Sequence, residues 1–543
     1  MSDPEPSPPE ASGPKAADLD VGAFSDHGPW LVESAALTWR RGLDGLRVRT
    51  HATVPVLLRR RRVPPGGRTL RVAALIGWAV ARWYLRDRGH GADRSRAGLS
   101  RRLRRAFERL GPTYIKLGQI LSSGEGIFPE QLVREFRLLR DRVPGEAFDV
   151  VRATVEQDLG RPLQEVFAHF ETTPLAAASI AQVHAARLVT GESVVVKVQR
   201  SAVAALVRQD LAIMSWLAPA LVGRIPVAAL ANPPALVELF ADTIVEELDF
   251  RLEADNMLDV ARVLVATDQR TIVVPRPHPS LVTRRVLVME RLDGFPWDDV
   301  AGMQSVGIDT TAVVRASMVA FLEGALFHGV FHGDLHGGNL LVQPDGRVAL
   351  LDFGITGRLD ESRRLAFLRL LLGGTFNDLT MQVESLRDLG AFPPDTDVAE
   401  VIAELGLDLP AQDPTTMTAD ELMQQLRDIT KALLGFGATM PKELMLFVKD
   451  LLFCSSAIAT HAPDIDLFAE ITHIATYFAT NHGERIAGEV GVDPRQRALD
   501  LTGIKASIGL TPDVDAVTYR DLQARRELIR ERMQKRHRRP GRR

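Results

Sequence analysis

The stretch His332-Gly333-Asp334-Leu335-His336-Gly337-Gly338-Asn339, followed by Asp352-Phe353-Gly354, constrains the fold more than any other part of the chain. A run so rich in glycine and polar residues makes neither a core helix nor a strand interior, and it reads as a loop. Two short apolar runs follow, 340–342 and 347–351, joined at Pro344-Asp345-Gly346. That tripeptide has tight-turn chemistry, so the pair reads as a small hairpin. The order is loop, hairpin, acidic loop. It brings Asp334, Asn339 and Asp352 to one end of the hairpin, with Asp334 and Asn339 five positions apart.

That spacing matches the catalytic loop of phosphoryl-transfer enzymes, H-R-D-x-x-x-x-N, and the second aspartate matches their D-F-G. Such enzymes position and neutralise phosphates more than they do covalent chemistry. The roles follow: Asp334 orients or deprotonates the attacking oxygen, and Asn339 and Asp352 hold Mg²⁺ on ATP or ADP. Lys197 ends a β-branched run, Val194-Val195-Val196-Lys197, as a strand lysine that grips α- and β-phosphates does. Its glutamate partner belongs on a helix between Lys197 and Glu290. Glu246, Asp249 and Glu253 share one helical face there, and position alone does not separate them. Acids this close cannot be buried without facing cations. His332 and His336 are expected to bond the backbone and orient Asp334 rather than to bind metal.

Around this centre the texture changes several times. Residues 1–30 are acidic and Pro-rich, with little to bury, and read as a disordered tail. Residues 31–108 read as basic amphipathic helices broken at Val63-Pro64-Pro65-Gly66-Gly67. Residues 109–290 mix helices with a small sheet. A hairpin is expected over 179–189 and 193–198, turning at Thr190-Gly191, and a long helix over 235–260. Residues 291–470 read as a helical lobe, and 471–543 as further helices and a basic tail. The fold class is therefore α+β: a two-lobed, kinase-like fold with an N-terminal helical extension and extra C-terminal helices.

Composition narrows the partners. The net charge of −3 gives no overall basic field for nucleic acid. From Arg520 onward 11 Lys/Arg face 3 Asp/Glu, a local net of +8. With the basic helices of 31–108, this tail is suited to peripheral contact with an anionic membrane. The segment 70–85, with Trp78, Trp83 and Tyr84 beside arginines, is too short in its uncharged part to span a bilayer. A single cysteine, Cys454, excludes an internal disulfide and a multi-cysteine metal site, and it fits a reducing, cytoplasmic setting.

Four motifs in order resemble the UbiB/AarF family of atypical kinases over about residues 105–470. Lys116-Leu117-Gly118-Gln119 resembles its KxGQ helix. Ala176-Ala177-Ala178-Ser179 resembles its Ala-rich nucleotide loop. Glu247-Leu248-Asp249 resembles its ExD motif, with Glu253 as the helix glutamate. The catalytic loop and Asp352-Phe353-Gly354 complete the series. The resemblance implies that the KxGQ helix covers the site, with Lys116 on Glu247 and Gln119 in the pocket. It implies an adenine-contacting hinge over Met289-Glu290-Arg291-Leu292. It implies ATP hydrolysis or transfer to a small-molecule or lipid acceptor, unsuited to protein substrates, in support of isoprenoid quinone or lipid metabolism. The alternatives are a nucleotide-binding scaffold with little turnover and a small-molecule kinase of the aminoglycoside or choline type, which also uses a His-Gly-Asp-Leu-His loop; the KxGQ helix and the Ala-rich loop argue against the latter. Alanine in place of glycine gives a stiffer phosphate loop, because it enters positive φ far less readily.

The sequence also departs from that family. Gly124 and Gly126 stand where the family has Arg and Asp after KxGQ, and Leu335 and Gly337 stand where proline is common. Residues 471–543 contain no bilayer-length run in place of the family's C-terminal hydrophobic hairpin. No sequence feature specifies the acceptor or an oligomeric state.

Overall fold

A computed structural model describes residues 23–537, except 27, 34, 60–62, 90, 123–128, 140–144, 222–232, 409–416, 418–420, 422–423, 426–427, 430–431, 434, 508–509 and 512. The departures at Gly124 and Gly126 lie outside the described residues.

The N-lobe is built on a mostly antiparallel sheet in the order β1(Phe167–Phe170), β3(Ala181–Leu188), β4(Ser193–Gln199), β7(Val286–Glu290), β6(Pro277–Val282), with β2(Ala176–Ala177) paired to β3. The β-branched run of β4 sorts its residues by the strand period of two. Val194, Val196 and Val198 join Val286 and Val288 against Val151 and Val155 of the helix Phe148–Leu159. Lys197 therefore points to the opposite face, toward the junction with the second lobe. The β3–β4 hairpin forms where expected, and Gly191 takes φ +107 in its turn.

A second sheet, β5(Ile272–Val273), β11(Val348–Leu350), β10(Leu340–Val342) and β8(Phe295–Pro296), carries the expected small hairpin, with Leu340 opposite Leu350. Gly346 closes its turn at φ +87. β9(Val330–His332) and β12(Thr356–Arg358) pair beside it, and their pairing fixes the entry and exit of both acidic loops. The C-lobe core gathers Phe321, Phe367 and Phe447 from its helices and Phe331 from β9. Two helices, Thr310–His328 and Lys442–His461, are long and apolar enough to cross a membrane by length and composition. The first has 61% of its apolar window buried, and the two pack against each other within this lobe.

Two expectations are corrected here. The single helix expected over 235–260 breaks into Pro233–Glu247 and Phe250–Ala266. Asp249 starts the second by accepting the Arg251 amide at 3.2 Å, as an N-cap does. The tail expected over 1–30 ends earlier, because Ala23 and Phe24 are fully buried. Residues 23–40 run along β6: Val274 donates to the Ala23 carbonyl at 2.7 Å, and Trp30 and Trp39 donate to the carbonyls of Pro277 and His278, each at 3.1 Å. This strap also crosses between the lobes. Ser25 bonds Glu290 at the end of β7, and Asp26 pairs with Arg347 of the second sheet at 3.4 Å.

The extension is not an independent domain either. Arg47 and His51, on the helix Leu43–Ala52, reach Glu246 at 3.2 and 2.6 Å. Arg68 reaches the fully buried Asp210 at 2.6 Å.

Candidate active site at the lobe junction

Lys197 meets Glu253 at 2.6 Å, and its ammonium also donates to Asp352 at 3.1 Å. Of the three acids that position could not separate, Glu253 is thus the strand-lysine partner. Glu246 faces the extension. Asp249 takes its own Arg251 at 2.7 Å and is not brought onto the site lysines. The Asp352-Phe353-Gly354 turn is fixed at each residue. Asp352 accepts the Gly354 amide at 2.9 Å, Glu253 accepts the Phe353 amide at 3.4 Å, and Asn256 donates to the Phe353 carbonyl at 2.8 Å.

The helix Pro112–Ser122 lies over this centre. Gly111 turns into it at φ +98, and Pro112 provides its first residue. Lys116 pairs with Glu247 at 2.7 Å and reaches within 3.9 Å of Asp334. Gly118 lets the same helix pack closely on its neighbours away from these acids: a Cβ there would lie 2.3 Å from Leu139 and 3.5 Å from Phe136. Gln119 follows on the same helix, half-buried, and its carbonyl accepts the Ser122 hydroxyl at 2.7 Å.

In the catalytic loop, His332 holds both aspartates through the backbone. Its Nδ1 accepts the Asp334 amide at 3.2 Å, and its Nε2 donates to the Asp352 carbonyl. Burial lowers its pKa, so the neutral ring that this pairing requires is the favoured one. His336 accepts the Gly338 amide at 3.1 Å. Both histidines thus serve the backbone, as expected. Asn339 donates its amide nitrogen to the Asp334 carbonyl at 3.1 Å, which leaves its side-chain oxygen as the acceptor.

The Ala-rich loop is a short edge hairpin. Leu175 and Ala178 donate their amides to Val183 and Ala181 at 2.7 and 2.8 Å, and Arg200 clamps the Ala178 carbonyl at 3.1 Å. Ser179 is buried at its base. The loop therefore offers fewer free amides to phosphate than a glycine-rich loop does. At the expected hinge Met289 is buried, but Glu290 is engaged elsewhere. Its carboxylate takes Arg276 at 3.3 Å and Ser25, and its amide donates to the Arg276 carbonyl at 2.9 Å. Its carboxylate and amide are thus committed within the fold.

Two site residues escaped the sequence reading. Lys449 and Asp450, on the helix Lys442–His461, both enter the catalytic loop. Lys449 pairs with the Asp334 carboxylate and donates to the Gly333 carbonyl at 3.2 Å. Asp450, fully buried, accepts the Leu335 amide at 3.1 Å. The available signal was a charged pair in the middle of an otherwise apolar helix.

The electrostatics sort these groups. Burial pushes the Glu253 carboxyl up to about 7, against the pull of Lys197. Burial also raises Glu247, with Lys116 opposing it, and raises Asp450 well above the usual carboxylate range. Asp334 goes the other way. Burial works to raise it, but Lys449, Lys116 and His336 together hold it far below its ordinary value. Asp352 is likewise held low, by Lys197 and Lys116 against burial. Both aspartates are therefore anionic at neutral pH.

The donor set fits Mg²⁺. Asp352 is 39% exposed, and its two bonds fall on one oxygen, which leaves the other open among the described residues. With the Asn339 oxygen it would supply two protein ligands. Mg²⁺ sites on nucleotides commonly use one or two carboxylates plus phosphate oxygens and water.

Comparison with known proteins agrees with this arrangement. The model of the ABC1 atypical kinase-like domain matches residues 138–386. The uncharacterized protein Rv0647c of Mycobacterium tuberculosis is 36% identical over 425 residues, covering 77% of this chain and 86% of that one. A probable protein kinase UbiB from Marinobacter nauticus is 31% identical over 381 residues, covering 68% of each chain. The uncharacterized chloroplastic aarF domain-containing protein kinase At5g05200 of Arabidopsis thaliana is 30% identical over 395 residues, covering 68% of this chain and 73% of that one.

Proposed function

This chain belongs to the ABC1 atypical kinase-like family, and from that premise we propose that it binds Mg²⁺ with ATP or ADP at the lobe junction. There it hydrolyses ATP or transfers phosphate to a small-molecule or lipid acceptor, in support of isoprenoid quinone or lipid metabolism. The observation that carries the reading is the Lys197–Glu253 pair at 2.6 Å, set beside the partly exposed Asp352.

Lys197, braced by Glu253, grips the α- and β-phosphates. Asp352 and Asn339 hold Mg²⁺, which neutralises charge on the phosphates. Asp334 orients the attacking oxygen; held so far below its ordinary pKa, it acts by position and charge more than as a strong base. Ala176, Ala177, Ala178 and Ser179 cover the nucleotide, and Met289 lines the adenine side. The Lys116 ion pairs hold a lid on the acceptor side of Asp334, which disfavours an extended protein substrate.

The protein is cytoplasmic in this reading and touches the inner face of the membrane. On the helix Arg68–Arg86, Leu70, Trp78 and Leu85 are 75%, 62% and 82% exposed, with the arginine of Arg82 over the Trp78 ring. Apolar and aromatic residues interleaved with arginine suit an anionic interface.

A second reading, a nucleotide-binding scaffold with little turnover, is favoured by one observation: Asp334 is engaged by lysines from two elements. Thermal shift with Mg²⁺ and ADP, and ATP hydrolysis with and without anionic liposomes, test both readings. Wild type is expected to gain stability with Mg²⁺–ADP, and Asp352→Asn to lose that gain. An equal gain in the variant removes the metal role, and binding without turnover under either condition selects the scaffold.

A further inference from the structure

Three lysines converge on the acids of the site, and they differ in what else they hold. Lys197 has Glu253 at 2.6 Å, and Lys116 has Glu247 at 2.7 Å. Each of those glutamates is buried and lies outside the catalytic loop. Lys449 has no such carboxylate. Its partners are the Gly333 carbonyl, at 3.2 Å, and Asp334 itself. Its neighbour Asp450 is committed to the Leu335 amide at 3.1 Å instead.

The counter-ion of Lys449 is therefore the residue that addresses the nucleophile. When Asp334 turns to an incoming hydroxyl or water, Lys449 loses its partner and needs another anion. Its side chain is 14% exposed beside Asp334, and a lysine stem is long and flexible enough to change partners. The rest of the site leaves that place open. Leu335, His336, Gly337 and Gly338, between Asp334 and Asn339, include no lysine or arginine. The amides of Leu175 and Ala178, flanking the Ala-rich loop, are taken by the sheet. Lys197 is held across Glu253 and Asp352, in the position that serves the inner phosphates.

Resting on the nucleotide reading above, we propose that Lys449 binds the terminal phosphate of a bound nucleoside triphosphate, with Asp334 as its partner while that phosphate is absent. The C-terminal helix Lys442–His461, rather than the Ala-rich loop, then distinguishes triphosphate from diphosphate. Lys449 is in this sense a catalytic residue, since it touches the group being transferred.

The test uses the full chain and isothermal titration with two probes, Mg²⁺–ADP and the non-hydrolysable Mg²⁺–AMPPNP. Lys449→Met is expected to weaken AMPPNP binding by about 10- to 100-fold, the effect of losing one charge-assisted contact. ADP affinity should stay within about twofold. Lys449→Gln, which still hydrogen-bonds Gly333 and Asp334, should behave as Lys449→Met and guards against misfolding, whereas Lys449→Arg should keep the triphosphate preference. Equal losses for both nucleotides would make Lys449 merely structural and overturn the proposal, as would no loss for either. A wild-type protein that binds neither probe brings down the nucleotide reading itself, and this proposal with it. That outcome is visible before any variant is made.

Discussion

Replacing Lys197 by Met isolates the cost of its buried glutamate. Lys197 and Glu253 are both almost free of solvent and 2.6 Å apart, and burial already lifts Glu253 to about 7 in the intact pair. An unfolded-state glutamate ionises near 4.3. Without the lysine, Glu253 rises further and keeps its proton past neutrality. Above pH 7 the folded variant then holds one proton more than its unfolded chain, so its stability falls as pH rises. Wild type, with Glu253 near 7, sheds that proton between about pH 6 and 8 and has no such slope from this group above that. The gap between the two should widen by about 1.4 kcal/mol per pH unit above about pH 8, and by about 2.3 kcal/mol in all from pH 7 to 9. It should stop widening at the variant's own Glu253 pKa, and about 3–5 kcal/mol, the cost of breaking a buried pair, is the ceiling. The loss of the Asp352 contact adds an offset of its own, which the double variant below shares. Thermal denaturation without nucleotide from pH 6.5 to 9.5 reads the gap. Adding Glu253→Gln to Lys197→Met should flatten it. A gap that is constant with pH in the single variant, or equally steep in the double, refutes the reasoning.

Two further outcomes test the elements around the site. His51 is raised to about 9 by its bonds to Asp242 and Glu246, so its contribution is complete below about pH 6.5 and is lost as pH rises through 9. His51→Gln should therefore lower the melting temperature most at pH 6 and least at pH 10, by about 1 kcal/mol at most, because the ring is 37% exposed and screened. Gly118→Ala should cost about 1–3 kcal/mol in denaturant unfolding, since its Cβ meets Leu139 at 2.3 Å in a packed helix triple. An unchanged midpoint would show that the lid helix can shift away.

The parts of the fold that could be read from sequence are those set by local rules. The β3–β4 and β10–β11 hairpins rest on short, largely apolar runs around glycine turns, and both formed where expected. Asp334, Asn339 and Asp352 are fixed by spacing along one short stretch, and they meet through His332. Choosing Glu253 over Glu246 and Asp249 required the break at Leu248-Asp249, which depends on a cap bond. Lys449 reaches the site from more than a hundred residues beyond Asp334 in sequence. Only the packing of its helix brings it there, and no local pattern encodes that. The strap over 23–40 was hidden for a similar reason: Phe24 looks exposed in a Pro-rich tail until the segment leading into β6, with Val274 and Arg276, meets it.

That strap alters how the two lobes move. In a two-lobed enzyme, opening and closing are usually governed by the short connector after β7. Here a second tether runs alongside it, because Ser25 holds Glu290 and Asp26 holds Arg347 across the gap. A hinge with two pins has fewer ways to twist than a hinge with one. Rotation of the lobes about the connector would have to stretch or unseat the strap, so residues far upstream of Asp334 help to hold the cleft's two walls together. A fragment beginning at residue 138, where the ABC1 match starts, would lose that tether and would also leave Asp210 and Glu246 without Arg68, Arg47 and His51. The boundary of recognisable homology and the boundary of the mechanical unit are different places in this chain.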